Sequence, residues 1–128
     1  MSPLFPISLK VEGRRVLVVG GGNVAESKAR SLLEVGALVH VVTPEIRFDI
    51  GHPNLTLVRR AFEPSDLEGC WLAISAAPPE VNRAVSAAAT ERRIFVIAVD
   101  DPASATAYGV AVVRRAGVTF GISTDGAA

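Results

Sequence analysis

Apolar positions along the chain switch between two periods, and the switching predicts the elements. Arg15-Val-Leu-Val-Val-Gly20 is a β-branched run without polar interruption, the pattern of a strand covered on both faces. Past the glycines, Ala25, Ala29, Leu32 and Leu33 recur at helical spacing, and Gly36 stands where a helix ends in a left-handed cap. Leu38 to Thr43 returns to the strand pattern and stops at Pro44. Strand, helix and strand over about 30 residues make a right-handed βαβ unit, which requires a parallel sheet.

The same grammar continues. Residues 44–54 mix Pro, Gly and His without period and read as irregular or weakly helical, and Leu55 to Val58 as a short strand. Pro64 to Gly69 suits one turn of helix, and Trp71 to Ala76 a buried strand closed by Pro78-Pro79. Val81, Ala84, Val85, Ala88 and Ala89 give another helical face, and Ile94 to Val99 a strand that ends at Asp100-Asp101-Pro102. Beyond it, Val110 to Val113 and Val118 to Ile122 flank Arg114-Arg115-Ala116-Gly117, which predicts a hairpin forming an antiparallel edge. The fold expected is α/β: a Rossmann-type, doubly wound, mainly parallel sheet with an antiparallel hairpin at its C-terminal end, one domain across residues 1–128.

Composition narrows the function classes. With 49% apolar residues in 128, one core is sustainable without covalent staples. The single cysteine, Cys70, rules out an internal disulfide and a thiolate metal cage, and it suits a reducing, cytoplasmic setting. His40 and His52 belong to no ligand cluster, so no metal site is expected. Thirteen basic and thirteen acidic residues cancel, and like charges run no longer than pairs such as Arg92-Arg93, which argues against nucleic-acid binding. No stretch approaches the roughly 18 apolar residues of a membrane span.

The candidate chemistry begins at Gly20-Gly21-Gly22-Asn23-Val24-Ala25, which satisfies G-x-G-x-x-G/A between a buried strand and an amphipathic helix. Gly20 permits the tight turn, Gly22 lets backbone approach a pyrophosphate, and Ala25 is small enough for close helix packing. The free amides at the helix start attract the anion. The acid that usually ends the second strand and binds the ribose is displaced by one step: Thr43-Pro44 precedes Glu45. Glu45 favours NAD, whereas Arg47 nearby would tolerate the 2′-phosphate of NADP, and the balance leans to NAD. Ala76 and Ala77, at the carboxyl edge of the next strand, either admit the cofactor or serve a tight turn before Pro78. Asn82 caps the following helix or faces water.

The linked blocks resemble one family. Pro3-Leu4-Phe5, Gly13 to Gly22, Val24-Ala25, Lys28-Ala29-Arg30, Leu32-Leu33-Glu34, Phe62-Glu63, Cys70 to Ile74, Val81-Asn82, Arg92 to Phe95, Val99-Asp100 and Ile122-Ser123 together look like the precorrin-2 dehydrogenase module of siroheme synthases. The resemblance implies NAD-dependent oxidation of the tetrapyrrole precorrin-2 to sirohydrochlorin, in some members with iron insertion, by a homodimer. It also implies a cofactor lying across Asn23, Val24, Pro44 and Glu45, and a catalytic acid or base at Asp100. A carboxylate at a strand's carboxyl end near a nicotinamide is suited to accept a proton; the competing role for Asp100 and Asp101 is to cap the segment opened by Pro102. The chain departs from the family pattern at Ala77-Pro78-Pro79, at Ile97 and at Ala107 to Val110. After Ser123 it reads Thr124-Asp-Gly-Ala-Ala128 where the family continues into a helical dimerisation region, which is expected to be absent here. The alternative function is a non-catalytic NAD(H)-binding regulatory domain.

Overall fold

The structure, a computed structural model, describes residues 2–124. Five strands, β1 (Arg15–Val19), β2 (Leu38–Thr43), β3 (Leu55–Arg59), β4 (Cys70–Ser75) and β5 (Phe95–Ala98), form one parallel sheet in the order β3-β2-β1-β4-β5. The order reverses between β1 and β4, and that switch point is where open α/β sheets bind ligands beyond their carboxyl ends.

Alternation along the strands sends successive side chains to opposite faces, and each face has its own cover. Val16 and Val18 of β1 and Val39 and Val41 of β2 pack under α1 (Asn23–Glu34) through Ala25, Ala29, Leu32 and Leu33. Leu17, Val19, Val42, Ala73 and Val96 point the other way, against Val85, Ala88 and Ala89 of α2 (Pro79–Glu91). Gly36, at φ +83°, follows the end of α1 as the left-handed residue the sequence anticipates. Residues 44–54 contain no helix or strand, and one turn of 3-10 helix covers Pro64–Leu67.

The hairpin forms but does not extend the sheet. β6 (Ala111–Arg115) and β7 (Val118–Ile122) pair only with each other, and every residue in both strands is exposed. The physical reason lies at the outer edge of β5. The Val96 amide donates to Thr106 Oγ1 at 2.8 Å, and Val96 O accepts from the amides of Thr106 and Ala107 at 2.8 and 3.1 Å. Residues 106–107 thus occupy the ladder positions that a sixth strand would need. Ala116 and Gly117, at φ +48° and +80°, supply the two left-handed positions of a tight turn.

Charged groups meet around Asp66. Asp66 is buried and receives both guanidinium nitrogens of Arg60 together with the Glu63 amide at 2.8 Å. Burial alone would raise its carboxyl, but the Arg60 hydrogen bonds and charge and the Glu63 amide outweigh it and hold the group below its ordinary range. Burial likewise pushes the Cys70 thiol up and, together with Arg15, the His40 imidazole down.

Candidate functional site

The glycine loop is shaped by its neighbours at two positions and left open at the third. Gly20 has φ +134°, and a Cβ there would lie 2.5 Å from the carbonyl oxygen of Ala76. A Cβ on Gly21 would lie 1.8 Å from the carbonyl oxygen of Glu45 and 2.9 Å from Thr43 Cγ2. The chain after β2 therefore seats its backbone directly on the loop, and the Arg47 amide seals the contact by donating to Gly21 O at 3.1 Å. Gly22 is different: a Cβ there would meet nothing within 4 Å.

That open position is the N-cap of α1, and no side chain caps the helix. Among the described residues the amides of Asn23, Val24 and Ala25 donate to no acceptor, while that of Glu26 already bonds Gly22 O at 3.0 Å. Three parallel N–H groups at the positive end of a twelve-residue helix, beneath open space, suit a dinucleotide's pyrophosphate. The residues present fit a nicotinamide dinucleotide on this ground.

Beside the helix start lies a cavity of about 560 Å³ at the carboxyl edge of β4 and β5, lined by Val24, Ala76, Ala77, Pro79, Asn82, Arg83, Val99, Asp100, Asp101, Ala103 and Ser104. Four residues singled out from sequence, Val24, Ala76, Ala77 and Asp100, meet in its wall. Gly20, Gly21 and Ala25 lie behind them as the structural support of the loop, and Asn23 is exposed at the helix start. Thr43 is buried against Gly21, and Pro44 is exposed and outside the cavity lining. The Glu45 side chain is 78% exposed and pairs with the guanidinium of Arg47 at 3.4 Å.

Asp100 adopts φ +55°, a left-handed conformation rare for a residue with a side chain. Asp101 begins the turn Pro102–Ser104 without making a side-chain cap, so capping does not account for the carboxylate pair. Sequence reasoning missed Asn82. It is buried, neither caps α2 nor faces water, and accepts from Ser75 Oγ at 2.5 Å and the Ala77 amide at 3.3 Å. Its signal was present as a polar residue on the buried stripe of α2, three before Val85. Arg83 was also passed over, and Asp101 was read only as a cap; both line the cavity, and nothing in the spacing of a one-turn offset distinguishes Arg83 from a solvated arginine.

No helix among the described residues is long and apolar enough to cross a membrane, and no group of three or more His, Cys, Asp or Glu there is placed to hold a metal. Among curated proteins the chain is similar to a siroheme synthase of Citrobacter koseri and to siroheme synthase 2 of Klebsiella pneumoniae subsp. pneumoniae, each at 42% identity over 95% of this chain and 28% of the relative. The chain thus spans 28% of the length of these relatives. Among solved structures, SirC, precorrin-2 dehydrogenase, superposes with a TM-score of 0.76 at 26% identity, over 98% of this chain and 64% of that one. The family described as "Putative NAD(P)-binding" matches residues 7–111. With its strand, glycine loop, helix start and cavity all inside that match, the chain belongs to this NAD(P)-binding family.

Proposed function

We propose that the chain is the dehydrogenase module that oxidises precorrin-2 to sirohydrochlorin in siroheme biosynthesis, with NAD as acceptor. The observation that carries the proposal is the cavity itself: its lining brings Val24, from the start of the helix whose free amides suit a pyrophosphate, together with Asp100 and Asp101. The likeness to siroheme synthases and to SirC, precorrin-2 dehydrogenase, supplies the substrate.

When bound, a nicotinamide would supply the hydride acceptor, so that precorrin-2 and NAD⁺ would give sirohydrochlorin, NADH and one proton. The chain's residues do the rest. The Asn23, Val24 and Ala25 amides hold the phosphates, and the small side chains of Ala76 and Ala77 leave room for the nicotinamide end against β4. Asp100 accepts the proton that the tetrapyrrole releases. Support for NAD over NADP comes from the chain just after β2, where Arg47 is engaged by the Glu45 carboxylate at 3.4 Å instead of standing free for a 2′-phosphate.

The test is to incubate the protein with precorrin-2 and NAD and follow sirohydrochlorin by its absorbance. Turnover in the parent and its loss in Asp100→Asn, with NAD affinity retained, is the expected result. Equal turnover in parent and variant would remove Asp100 from the mechanism. Tight NAD binding without turnover, even with the family's helical region supplied, would make the chain a non-catalytic cofactor-binding domain.

A further inference from the structure

Asn82 sits in the first turns of α2 and is 2% exposed, yet its side chain reaches Ser75 at the end of β4, Ala77 just beyond it and Asp101 in the loop after β5. The orientation of its amide is fixed from both ends. The Ala77 backbone N–H can only donate, so the atom facing it at 3.3 Å is Oδ1, which also receives Ser75 Oγ. An ionised Asp101 carboxylate can only accept, so the atom 3.4 Å from its Oδ2 is Nδ2. One buried amide therefore ties the end of β4 to the loop after β5.

Residue 100 lies inside this tie. On its amino side the Val99 amide donates to Ser75 O at 2.9 Å, and on its carboxyl side Asp101 is held by Asn82, which is itself held by Ser75. Asp100 is thus pinned on both flanks to the same Ser75–Asn82 pair, and it is the residue with φ +55°. A left-handed aspartate persists only where its surroundings over-determine it, and such positions concentrate at functional sites. Two elements frame residue 100 here: the local turn in which the Asp101 amide donates to Ala98 O at 3.4 Å, and the Ser75–Asn82–Asp101 chain of contacts. The 3.4 Å contact between Asn82 and Asp101 is long for a hydrogen bond.

We propose that Asn82 is a positioning residue of the substrate site: by tying Asp101 to the end of β4, it holds Asp100 in its left-handed conformation in the cavity wall. Asp101 serves as the handle of this clamp, and only Asp100 meets the substrate. The kinetic part rests on the dehydrogenase reading above; the conformational part does not.

The experiment uses Asn82→Ala, Asp101→Ala, Asp101→Asn and the double alanine variant, with kcat for precorrin-2 oxidation, NAD affinity, and the backbone of residue 100 in the crystal structures of the variants. Each alanine variant is expected to lower kcat on the order of 100-fold, the scale of a misplaced reacting group, while NAD affinity is retained and residue 100 relaxes to negative φ. The double variant falls no further than either single one, because both cut the same tie. Asp101→Asn, whose amide oxygen still accepts from Asn82, recovers most of the lost rate.

An Asp101→Asn variant as slow as Asp101→Ala would overturn the assignment by showing that the charge of Asp101 itself reacts. Parental kcat in the alanine variants would do the same. Should Asn82→Ala fail to fold, the Asp101 pair carries the test, since it leaves the Ser75–Asn82 bond intact. Absence of turnover in the parent would sink the dehydrogenase reading alone; the φ of residue 100 in Asp101→Ala then decides the clamp, and a retained left-handed conformation refutes it.

Discussion

Two neighbouring glycines offer a separation of stability from cofactor binding. In Gly21→Ala the new methyl carbon would start 1.8 Å from the Glu45 carbonyl oxygen, so the two backbones must part by more than 1 Å to regain the 3.0 Å that real Cβ contacts respect. Neither atom belongs to a flexible side chain, and the Arg47 amide bond to Gly21 O at 3.1 Å resists the movement. Overpacking of this kind costs about 3 kcal/mol, and for a domain of this size that lowers the melting temperature by roughly 10 °C. Gly22→Ala meets nothing within 4 Å at φ −94°, which any residue adopts. The poorer N-cap and the stiffer unfolded chain nearly cancel, leaving a change within about 0.5 kcal/mol.

Binding should reverse the ranking of damage to stability. The methyl of Gly22→Ala stands over the free amides of α1, in the space assigned to the phosphates, and is expected to weaken NAD at least about tenfold, or ~1.4 kcal/mol. Thermal denaturation without ligand and calorimetric titration with NAD measure the two quantities on the same samples. A Gly22→Ala protein that binds NAD as tightly as the parent would refute the reasoning, because the pyrophosphate would then lie elsewhere. A Gly21→Ala protein of parental stability would refute the close seating of the chain after β2.

Three further outcomes follow from other parts of the molecule. Glu45→Ala frees Arg47 from its 3.4 Å pair, so the ratio of NADP to NAD affinity should rise, as read by parallel titrations. Leu17→Ala empties a fully buried position between β1 and α2 and should cost about 2–5 kcal/mol in denaturant unfolding. Asp66→Asn should destabilise the protein by about 2 kcal/mol at neutral pH by weakening the charged hydrogen bonds from Arg60 and Glu63. The Asp66 carboxyl is held below its ordinary value, so its contribution is complete above about pH 4 and is lost as pH falls through the lowered value. The gap between parent and variant should therefore close in acid, and a gap that widens there would contradict the assignment.

The sheet was legible because burial leaves a simple trace. Strands covered on both faces, such as Val16 to Val19, read as unbroken apolar runs, and α1 showed its buried stripe at Ala25, Ala29, Leu32 and Leu33. The destination of the hairpin was not legible. Whether β6 joins β5 depends on whether the edge of β5 is free, and that is decided by Thr106 bonding Val96, a contact between residues ten apart with no periodicity to announce it. Local turn chemistry predicts that two strands meet; it carries no information on what else they meet.

The candidate site divides along a similar line. The half proposed to hold phosphate is built from backbone, so the requirement falls on glycines and small residues, and the spacing of Gly20, Gly22 and Ala25 between a strand and a helix displays it directly. The half proposed to meet substrate is built from side chains that converge from β4, α2 and the loop after β5, and the Ser75–Asn82–Asp101 contacts join positions seven and nineteen residues apart. No local pattern encodes such a meeting; the parallel sheet creates it by bringing the carboxyl ends of β4 and β5 side by side, with Ser75 paired to Ala98. The one trace left in the sequence is an anomaly of type: a primary amide on a helical stripe otherwise made of Val85, Ala88 and Ala89. A buried polar residue must be satisfied, so a polar interruption of an apolar stripe, at the helix end that faces the carboxyl edge of the sheet, is itself a pointer to where the side chains of the site converge.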